Sequence, residues 1–321
     1  MISKVAVVVY IMQNGKPLFF VGQRTEKYNQ IWQYVTGHCE GNESPRETVL
    51  RELNEELGDV RTLNFIDLKD VNNFSSSSGK RYHEEIFAVE IDEVKKLQEE
   101  EFQDFKWLSA PEAIELAHWP SHKKSIERVA QIIKEKKYPK IFIITGPSGS
   151  GKDTVINGLL ECRELRLAKS RTATTRARRN GETNERIFVD ESRFDEMFKS
   201  GELIERNMFN NNWYGASRSE LINVLMSDKN AIMEIDLNGV ISFKSIFSNV
   251  VAIFLRVEPD FLRQRLLDRG TEDKKTIEKR LLIAESEMEN SSVCDYVVDN
   301  KQGKVNDTIK KVTEIIRREE L

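Results

Sequence analysis

Cysteine is scarce in this sequence, with only Cys39, Cys162 and Cys294 among 321 residues. They lie far apart and are odd in number, which fits neither a disulfide framework nor a zinc site. Few, widely spaced thiols are typical of proteins in a reducing compartment. We therefore expect a cytoplasmic protein.

Long apolar runs are also missing, and no segment reaches the length that crosses a bilayer. We expect no membrane contact. The apolar run VAVVVYIM near the amino terminus is short, lacks a small-residue cleavage site and leads into a turn at Asn14 and Gly15. It predicts a first β-strand at residues 5–12 rather than a signal peptide.

An excess of positive charge is absent too, since 49 Lys and Arg residues against 53 Asp and Glu residues give a net charge of −4. Without a bulk positive field, we expect no nucleic-acid partner. Anionic small molecules must instead be held by local basic clusters, metal ions or backbone amides. The sequence is compatible with a homo-oligomer.

The chain is long enough for two α/β domains, and its apolar pattern changes near residue 138. A helix ends in the charged run KEKKYPK, which contains Pro139, so we predict domains at 1–137 and 138–321. The first domain mixes short strands with helices. The second opens on the apolar run KIFIIT and then alternates strand, loop and helix. That alternation predicts a parallel sheet with helices on both faces.

A helix with a strong amino-terminal signal is predicted from about residue 45 to residue 57. Ser44 can cap it, Pro45 suits its first position, and Glu47 completes an S-x-x-E capping box. Such a box satisfies backbone N–H groups that a helix start would otherwise leave without acceptors. The segment that follows it carries the first candidate site.

Three carboxylates share one face of this helix, because Glu52, Glu55 and Glu56 are three and four residues apart. Three like charges repel each other unless a cation neutralises them, and Mg²⁺ prefers oxygen ligands. Arg51 lies on another side, where it can pair with Glu43 and tie the preceding loop to the helix. The alternative is a solvated, glutamate-rich face, which is the correct interpretation of most acidic helices.

The full pattern G-x5-E-x7-R-E-U-x-E-E-x-G, where U is a bulky apolar residue, lies at residues 37–58. On this pattern the first domain resembles the Nudix family. The resemblance implies an α/β/α sandwich with a mixed sheet, and hydrolysis of a nucleoside diphosphate linked to another group with Mg²⁺ or Mn²⁺. It implies metal ligation by the Gly37 carbonyl, Glu52, Glu55 and Glu56, and a catalytic role in water activation for Glu55 or Glu56.

The flanks of the helix extend this resemblance. WQYVTGHCEGNE and FKWLSAPEAIELAHWPSHKKSIERV are similar to the branch that cuts dihydroneopterin triphosphate or dATP to a monophosphate and pyrophosphate. Family members often add a glutamate from a later strand, here Glu84 or Glu85. Trp32, Trp107 and Trp119 offer surfaces on which a base can stack, although tryptophans in a small domain are more often part of the core.

A glycine-rich loop, GPSGSGKDT, stands between the run KIFIIT and a predicted helix. Its glycines let backbone N–H groups face a polyphosphate, and Lys152 adds a charge near the β- and γ-phosphates. Asp153 stands where such loops usually have Ser or Thr; a carboxylate there can bind Mg²⁺ directly or through water. The predicted ATP site comprises Gly146, Pro147, Ser148, Gly149, Ser150, Gly151, Lys152, Asp153 and Thr154.

Several motifs follow this loop, beginning with TATTRARRNGET, in which two arginines three residues apart can grip one phosphate. With GELIERN, NNWYGAS, AIMEIDLNG and LLDRGTEDKKTIEKRL, they make residues 140–318 resemble guanylate kinase, a P-loop NTPase fold with ATP as phosphoryl donor. The resemblance implies acceptor binding by Thr172, Arg176, Arg179, Glu205, Tyr214 and Asp236. It implies catalytic roles for Lys152 and for the lid arginines Arg269 and Arg280.

The departures from the guanylate kinase pattern concern the acceptor. Thr172 replaces a serine, Ala216 replaces a second hydroxyl residue, and ETNERIFV is shortened and lacks a phosphate-binding tyrosine, which Arg186 can replace. The GKD ending and the shortened segment resemble ribose 1,5-bisphosphate phosphokinase. The motifs NNWYGAS and TTRxxR, with Glu205, favour a nucleotide acceptor. We therefore predict a nucleoside monophosphate kinase, with GMP or dGMP as its acceptor.

Two hypotheses for the whole chain follow from these motifs. The first is a bifunctional nucleotide enzyme, a diphosphatase followed by a kinase. The second is a scaffold that binds nucleotides or proteins without catalysis, as some domains of both kinds do. Because the sequence retains Lys152 and the carboxylates of the first helix, it favours the enzyme.

Overall fold

The chain divides into two units, Met1–Tyr138 and Pro139–Leu321, in a computed structural model. The model describes residues 1–76, 78–93, 97, 101–178, 182, 186–209, 211–268 and 274–320. No helix in these ranges is long and apolar enough to span a membrane. Cys39, Cys162 and Cys294 all lie within them and are free thiols.

The first unit is built on a mixed sheet in the order β3-β2-β1-β6-β5, with β4 also paired to β1 and β7 to β2. Only β1 and β6 among these pairs of described strands run parallel. The strands are β1 (Ile2–Gln13), β2 (Lys16–Arg24), β3 (Trp32–Gln33), β4 (Val35–His38), β5 (Thr62–Ser75), β6 (Arg81–Ile91) and β7 (Phe102–Leu108). The helices are α1 (Pro45–Leu57), α2 (Ala110–Leu116) and α3 (Pro120–Lys134).

Both faces of β1 are buried, which explains why its sequence is apolar at successive positions. Ala6 and Val8 pack in one core cluster with Ile126 and Val129 of α3. Val5 points to the opposite face, and its partner on β4 is Gly37, against which a side chain of α1 lies. The sheet therefore lies between α1 and α3, which confirms the predicted α/β/α sandwich.

The second unit contains a parallel sheet in the order β16-β15-β8-β14-β9, as the alternation of strands and helices predicted. A smaller sheet, in the order β11-β10-β13-β12, lies outside it. The strands are β8 (Ile141–Thr145), β9 (Leu167–Lys169), β10 (Thr172–Thr174), β11 (Arg186–Phe188), β12 (Asn207–Phe209), β13 (Asn212–Ala216), β14 (Asn230–Glu234), β15 (Val250–Arg256) and β16 (Tyr296–Asp299). The helices are α4 (Lys152–Glu161), α5 (Glu191–Lys199), α6 (Arg218–Met226), α7 (Leu237–Ile246), α8 (Pro259–Asp268), α9 (Lys274–Glu289) and α10 (Val305–Glu320).

The capping box of α1 is formed as predicted. The Ser44 hydroxyl accepts from the backbone N–H of Glu47 at 3.3 Å, and the Glu47 carboxylate accepts from the backbone N–H of Ser44 at 2.8 Å. Pro45 occupies the first helical position. These contacts fix where α1 starts, and so set the phase of the carboxylates along it.

We expect Ser44→Ala to lower the free energy of unfolding by about 1 kcal/mol, because the backbone N–H of Glu47 loses its acceptor. Ser44→Gly is the matched control and should cost only a few tenths of that, since glycine leaves the helix start open to water. Urea unfolding of both variants measures the difference. Equal stability of Ser44→Ala and the parent protein would contradict the role given to the cap.

Candidate functional sites

The end of β4 meets α1 at a point where only glycine leaves enough room. A Cβ added to Gly37 would overlap the carboxylate of Glu52, although the backbone of Gly37 is not in the left-handed region. The requirement for glycine is therefore one of close approach rather than of conformation. This contact places the Gly37 backbone and the Glu52 carboxylate side by side.

Arg51 organises the loop that precedes α1. Its Nε atom lies 2.9 Å from Glu43 Oε1, which confirms the predicted pair, and its Nη2 atom donates to the carbonyl of His38 at 2.7 Å. Its Nη1 atom donates to Glu52 Oε1 at 2.9 Å and to Glu55 Oε2 at 2.7 Å. One guanidinium therefore joins the loop, the end of β4 and two of the three helix carboxylates.

The three carboxylates that share one face of α1 lie in different surroundings. The side chain of Glu55 is 57% exposed, that of Glu52 is largely covered, and that of Glu56 is 3% exposed. Burial raises the pKa of Glu52 above its usual range and raises the pKa of Glu56 further. Glu56 Oε2 is buried and has no hydrogen-bond partner among the described residues.

The buried oxygen of Glu56 and the cradle formed by Gly37 and Glu52 fit a hard divalent cation. Arg24 lies 3.5 Å from Oε1 of this carboxylate but leaves Oε2 without a donor, and carboxylate oxygens are the ligands that Mg²⁺ and Mn²⁺ prefer. Within the described ranges, no three acidic, histidine or cysteine side chains already surround one point. Instead, Arg51 Nη1 donates to both Glu52 and Glu55, so the guanidinium connects the exposed Glu55 to the site.

The glutamates proposed from the later strand lie on opposite faces of the sheet. Glu84 pairs with Lys4 at 3.5 Å, and Lys4 alternates along β1 with Val5, whose partner Gly37 faces α1. Glu84 therefore points away from α1. Glu85, its neighbour on β6, lies on the face of the Nudix-type carboxylates.

Sequence analysis missed Arg24, which is buried at the end of β2. Its Nη1 atom lies 3.5 Å from Glu56 Oε1, its other terminal nitrogen pairs with Glu101, and its guanidinium lies 4.1 Å from the centre of the Tyr28 ring. The sequence shows only an arginine after the apolar strand LFFVGQR; its burial and its pairing with Glu56 appear in the structure.

The three candidate stacking residues differ in exposure. Trp107 packs edge-on against Phe20, with ring centres 5.8 Å apart, and Trp32 packs against the core. Trp119 is 45% exposed, with its indole N–H 3.4 Å from Gln33 Oε1. Of these three tryptophans, Trp119 alone is among the exposed large hydrophobic residues of the described part of the chain.

Three glycines of the loop between β8 and α4 have positive φ angles, a conformation that residues with a side chain rarely adopt. Gly146, Gly149 and Gly151 have φ angles of +132°, +89° and +89°. Lys152 Nζ donates to the carbonyls of Gly146 at 2.8 Å and Pro147 at 3.1 Å. The lysine thus folds back over the loop, at the amino terminus of α4, where an anion is favoured.

The other loop residues have distinct positions. Ser148 and Asp153 line the adjoining cavity, Thr154 is exposed on the first turn of α4, and Ser150 is buried. Asn300, which the motifs did not indicate, donates from Nδ2 to the carbonyl of Ser150 at 2.6 Å and so holds the loop from behind.

Glu234, at the end of β14, is a second residue that the motifs did not assign. It lies 3.6 Å from Lys152 Nζ. Burial raises its pKa, Lys152 opposes that effect, and the charge of Asp153 adds to it. Asp153 in turn lies 3.9 Å from Lys169. Two carboxylates and two ammonium groups thus meet beside the loop.

A cavity of about 1060 Å³ joins the glycine-rich loop to the smaller sheet. It brings together residues from several of the motifs, which are far apart in sequence. Its walls include Gly146, Ser148, Lys152, Asp153, Thr172, Arg176, Glu205, Tyr214, Asp236 and Arg280. Arg179 and Arg269, also predicted for this site, lie outside the described residues.

Three arginines that line this cavity contact neighbouring side chains. Arg176 pairs with Glu182 at 2.6 Å. Arg280 Nη1 lies 3.5 Å from the hydroxyl of Ser148 in the glycine-rich loop. Arg186 Nη1 donates to the hydroxyl of Thr172 at 2.6 Å.

Glu205 and Asp236 form the acidic part of the cavity. Glu205 is 9% exposed, and its Oε1 atom accepts from the backbone N–H of Ala216 at 2.9 Å. Burial, and then the charge of Asp236, raises the pKa of Glu205 to about 7. Asp236 caps α7 by accepting from the backbone N–H of Gly239 at 2.7 Å, and it also accepts from Asn207.

Comparison with known proteins agrees with both resemblances. The family model for guanylate kinase matches residues 138–319, and the model for the NUDIX domain matches residues 2–129. The guanylate kinase of Oceanobacillus iheyensis is 37% identical over 193 residues, which are 59% of this chain and 91% of that protein. The guanylate kinase of Nitrosomonas europaea is 34% identical over 184 residues, 56% of this chain and 90% of that protein.

Solved structures similar to each unit are also known. The guanylate kinase from Anaplasma phagocytophilum is 28% identical and covers 58% of this chain and 88% of its own, with a TM-score of 0.47. The dihydroneopterin triphosphate pyrophosphohydrolase of E. coli is 24% identical and covers 40% of this chain and 94% of its own, with a TM-score of 0.34.

We expect Gly37→Ala to weaken Mn²⁺ binding by roughly tenfold or more, because the added Cβ displaces the Glu52 carboxylate. Gly41→Ala is the control: its Cβ would meet open space, while its φ of +53° makes it the more strained substitution. Titration of the full chain with Mn²⁺, followed by electron paramagnetic resonance, measures both. Unchanged affinity in Gly37→Ala would contradict the assignment of this cradle.

We expect stability to depend on pH through Glu205. Its folded pKa of about 7 lies above the ordinary 4.5, so the folded state holds the proton more tightly than the unfolded chain. That contribution, about 3 kcal/mol, is complete below pH 4.5 and is lost as the pH rises through 7. The Tm of Glu205→Gln minus the Tm of the parent protein should therefore increase from pH 5 to pH 8. The exposed Glu202→Gln controls for removal of one charge, and an equal gain there would refute the cause given.

Proposed function

We propose specific substrates for this chain, which belongs to the guanylate kinase family and carries a NUDIX domain ahead of its kinase domain. It is a two-domain nucleotide enzyme, a pyrophosphohydrolase and a phosphotransferase in one polypeptide. The first domain hydrolyses a (d)NTP or a related nucleoside diphosphate derivative with Mg²⁺. The second transfers the γ-phosphoryl group of ATP to a nucleoside monophosphate, with GMP or dGMP as the acceptor.

The kinase proposal is carried by one arrangement, a hydroxyl and a buried carboxylate that face the same cavity as the phosphate-binding loop. Thr172 supplies a hydroxyl, and Glu205 supplies a carboxylate with one oxygen already bonded to Ala216. A base edge that has a carbonyl next to N–H groups complements these groups. Guanine presents such an edge, whereas adenine presents an amino group in place of the carbonyl.

Phosphoryl transfer requires that two phosphate groups approach each other despite their charges. Lys152 and the start of α4 hold the donor phosphates, and Arg176, Arg179 and Tyr214 hold the acceptor phosphate. Arg280, close to Ser148, stabilises the charge that develops on the transferred group. The acceptor oxygen then bonds to the γ-phosphorus as the bond to the β,γ-bridging oxygen breaks.

The hydrolase proposal rests on the buried Glu56 oxygen beside the cradle formed by Gly37 and Glu52. Gly37, Glu52, Glu55 and Glu56 would hold a divalent cation, which polarises the phosphate when bound. Glu55 or Glu56 accepts a proton from the attacking water. The water oxygen bonds to phosphorus, and the bridging P–O bond breaks to release a monophosphate and pyrophosphate. Since the kinase consumes a monophosphate, the two reactions can follow one another.

A second candidate acceptor is ribose 1,5-bisphosphate. The GKD ending and the guanidinium of Arg186 on the cavity wall favour it, because this acceptor carries a second phosphate. Glu205 favours the nucleotide instead, because a buried carboxylate on the cavity wall complements the N–H groups of a base and repels a second phosphate.

The decisive test uses variants that each remove the activity of one site. We expect Glu56→Gln to lose at least 100-fold in pyrophosphate release from dATP, dGTP or dihydroneopterin triphosphate with Mg²⁺, while ADP formation from ATP and GMP persists. Lys152→Ala should show the opposite result. Kinase assays belong in the Glu56→Gln background, so that hydrolysis of ATP does not contribute.

The control for both variants is Lys244→Ala, which removes an exposed ion pair with Asp295 and should leave both activities intact. If the parent protein releases no pyrophosphate and forms no ADP, the enzyme proposal is overturned in favour of a nucleotide-binding scaffold. Activity with ribose 1,5-bisphosphate and none with GMP would replace the acceptor.

A further inference from the structure

Arg186 is the least expected residue in the acceptor cavity, because it stands where the guanylate kinase pattern has a phosphate-binding tyrosine. It begins β11, and the register of β10 and β11 pairs it with Thr172. Its Nη1 atom donates to Thr172 Oγ1 at 2.6 Å, and its side chain is 23% exposed. The guanidinium therefore contacts a residue assigned to base recognition.

Three neighbours restrict this guanidinium. Besides Thr172, its Nη2 atom lies 4.0 Å from Glu234 Oε2, and its central carbon lies 5.6 Å from the centre of the Tyr214 ring. A planar group held by a hydroxyl, a carboxylate and an aromatic face has little freedom to turn. Its donor atoms are consequently fixed relative to Thr172.

The bond constrains the hydroxyl as well. A threonine hydroxyl has one proton and two lone pairs, and a guanidinium can only donate. Thr172 Oγ1 must therefore accept from Arg186, and its own proton is left to be donated to another acceptor. A charged donor also polarises the hydroxyl and makes it a stronger donor.

On the other side of β10, the residue paired with Thr172 is Ala216, which has no hydroxyl. The row Arg186, Thr172 and Ala216 therefore offers the cavity a single hydroxyl. Its donor direction decides which acceptor atom this part of the wall can recognise.

We propose that Arg186 is a positioning residue that sets base selectivity in the kinase domain by orienting the Thr172 hydroxyl and making it a stronger donor than acceptor. The hydroxyl then donates to a carbonyl oxygen on the acceptor base more strongly than its remaining lone pair accepts from an amino group in that position. This inference rests on the proposed phosphorylation of a nucleoside monophosphate. It assigns to Arg186 an action through Thr172 rather than a contact with the acceptor phosphate.

The test is a double-mutant cycle in the Glu56→Gln background, with Arg186→Met, Thr172→Val and the combination of both. We expect each single variant to lower the ratio of kcat/KM for GMP to that for AMP by about tenfold, mainly through the KM for GMP. The KM for ATP should not change. In the Thr172→Val background, Arg186→Met should have little further effect, because its target is gone.

Arg171→Met is the matched control, since Arg171 makes a bidentate pair with Glu220 of α6 at 2.6 and 2.7 Å and should leave the ratio unchanged. If Arg186 instead binds the acceptor phosphate, Arg186→Met will raise the KM for GMP and AMP by the same factor and add to Thr172→Val. That result overturns the inference while GMP kinase activity stands. A parent protein that neither binds GMP in calorimetry nor phosphorylates any nucleoside monophosphate overturns the proposed function itself.

Discussion

Glu56 and Glu205 are carboxylates held inside the protein with fewer donors than their oxygens can accept, and both candidate sites depend on this shortage. Burial raises the pKa of each, because a charge in a poorly solvated position needs a partner to replace water. In the first unit, a divalent cation can supply that partner. In the second, the N–H groups of a base can supply it. The same physical constraint, a buried carboxylate that can accept further hydrogen bonds or a cation, therefore occurs in both units.

With a net charge of −4, the protein has no overall positive field to attract anions. The positive groups around these carboxylates instead act through close contacts. Arg51 joins a loop to α1, Arg24 lies between Glu56 and Glu101, and Arg186 lies between Thr172 and Glu234. Each guanidinium contacts more than one element through its several fixed donors. These arginines therefore hold side chains from different elements together, while Lys152 lies against the glycine-rich loop at the start of α4.

Much of the local structure could be predicted from the sequence. The helix α1 occupies Pro45–Leu57 as its capping box indicated, and the apolar run KIFIIT contains the strand β8. The smaller sheet was not predicted, because strands as short as Thr172–Thr174 carry no recognisable alternation. Arg24, Asn300 and Glu234 were also missed. Each contacts a residue that is distant in sequence, and no local spacing records such a contact.

By itself, the sequence determined the kind of chemistry, because carboxylates three and four residues apart on one helix and a glycine-rich loop before another helix are local features. Local hydrogen bonds and side-chain periodicity are enough to specify them. Tertiary structure decided how the carboxylates differ: Glu56 is buried and Glu55 is exposed, although they are adjacent in the chain. It also decided that Arg186 bonds to Thr172. Burial and cross-strand pairing arise only when distant segments pack. Burial raises the pKa of carboxylates in both units, and cross-strand pairing brings Arg186 to Thr172 in the second.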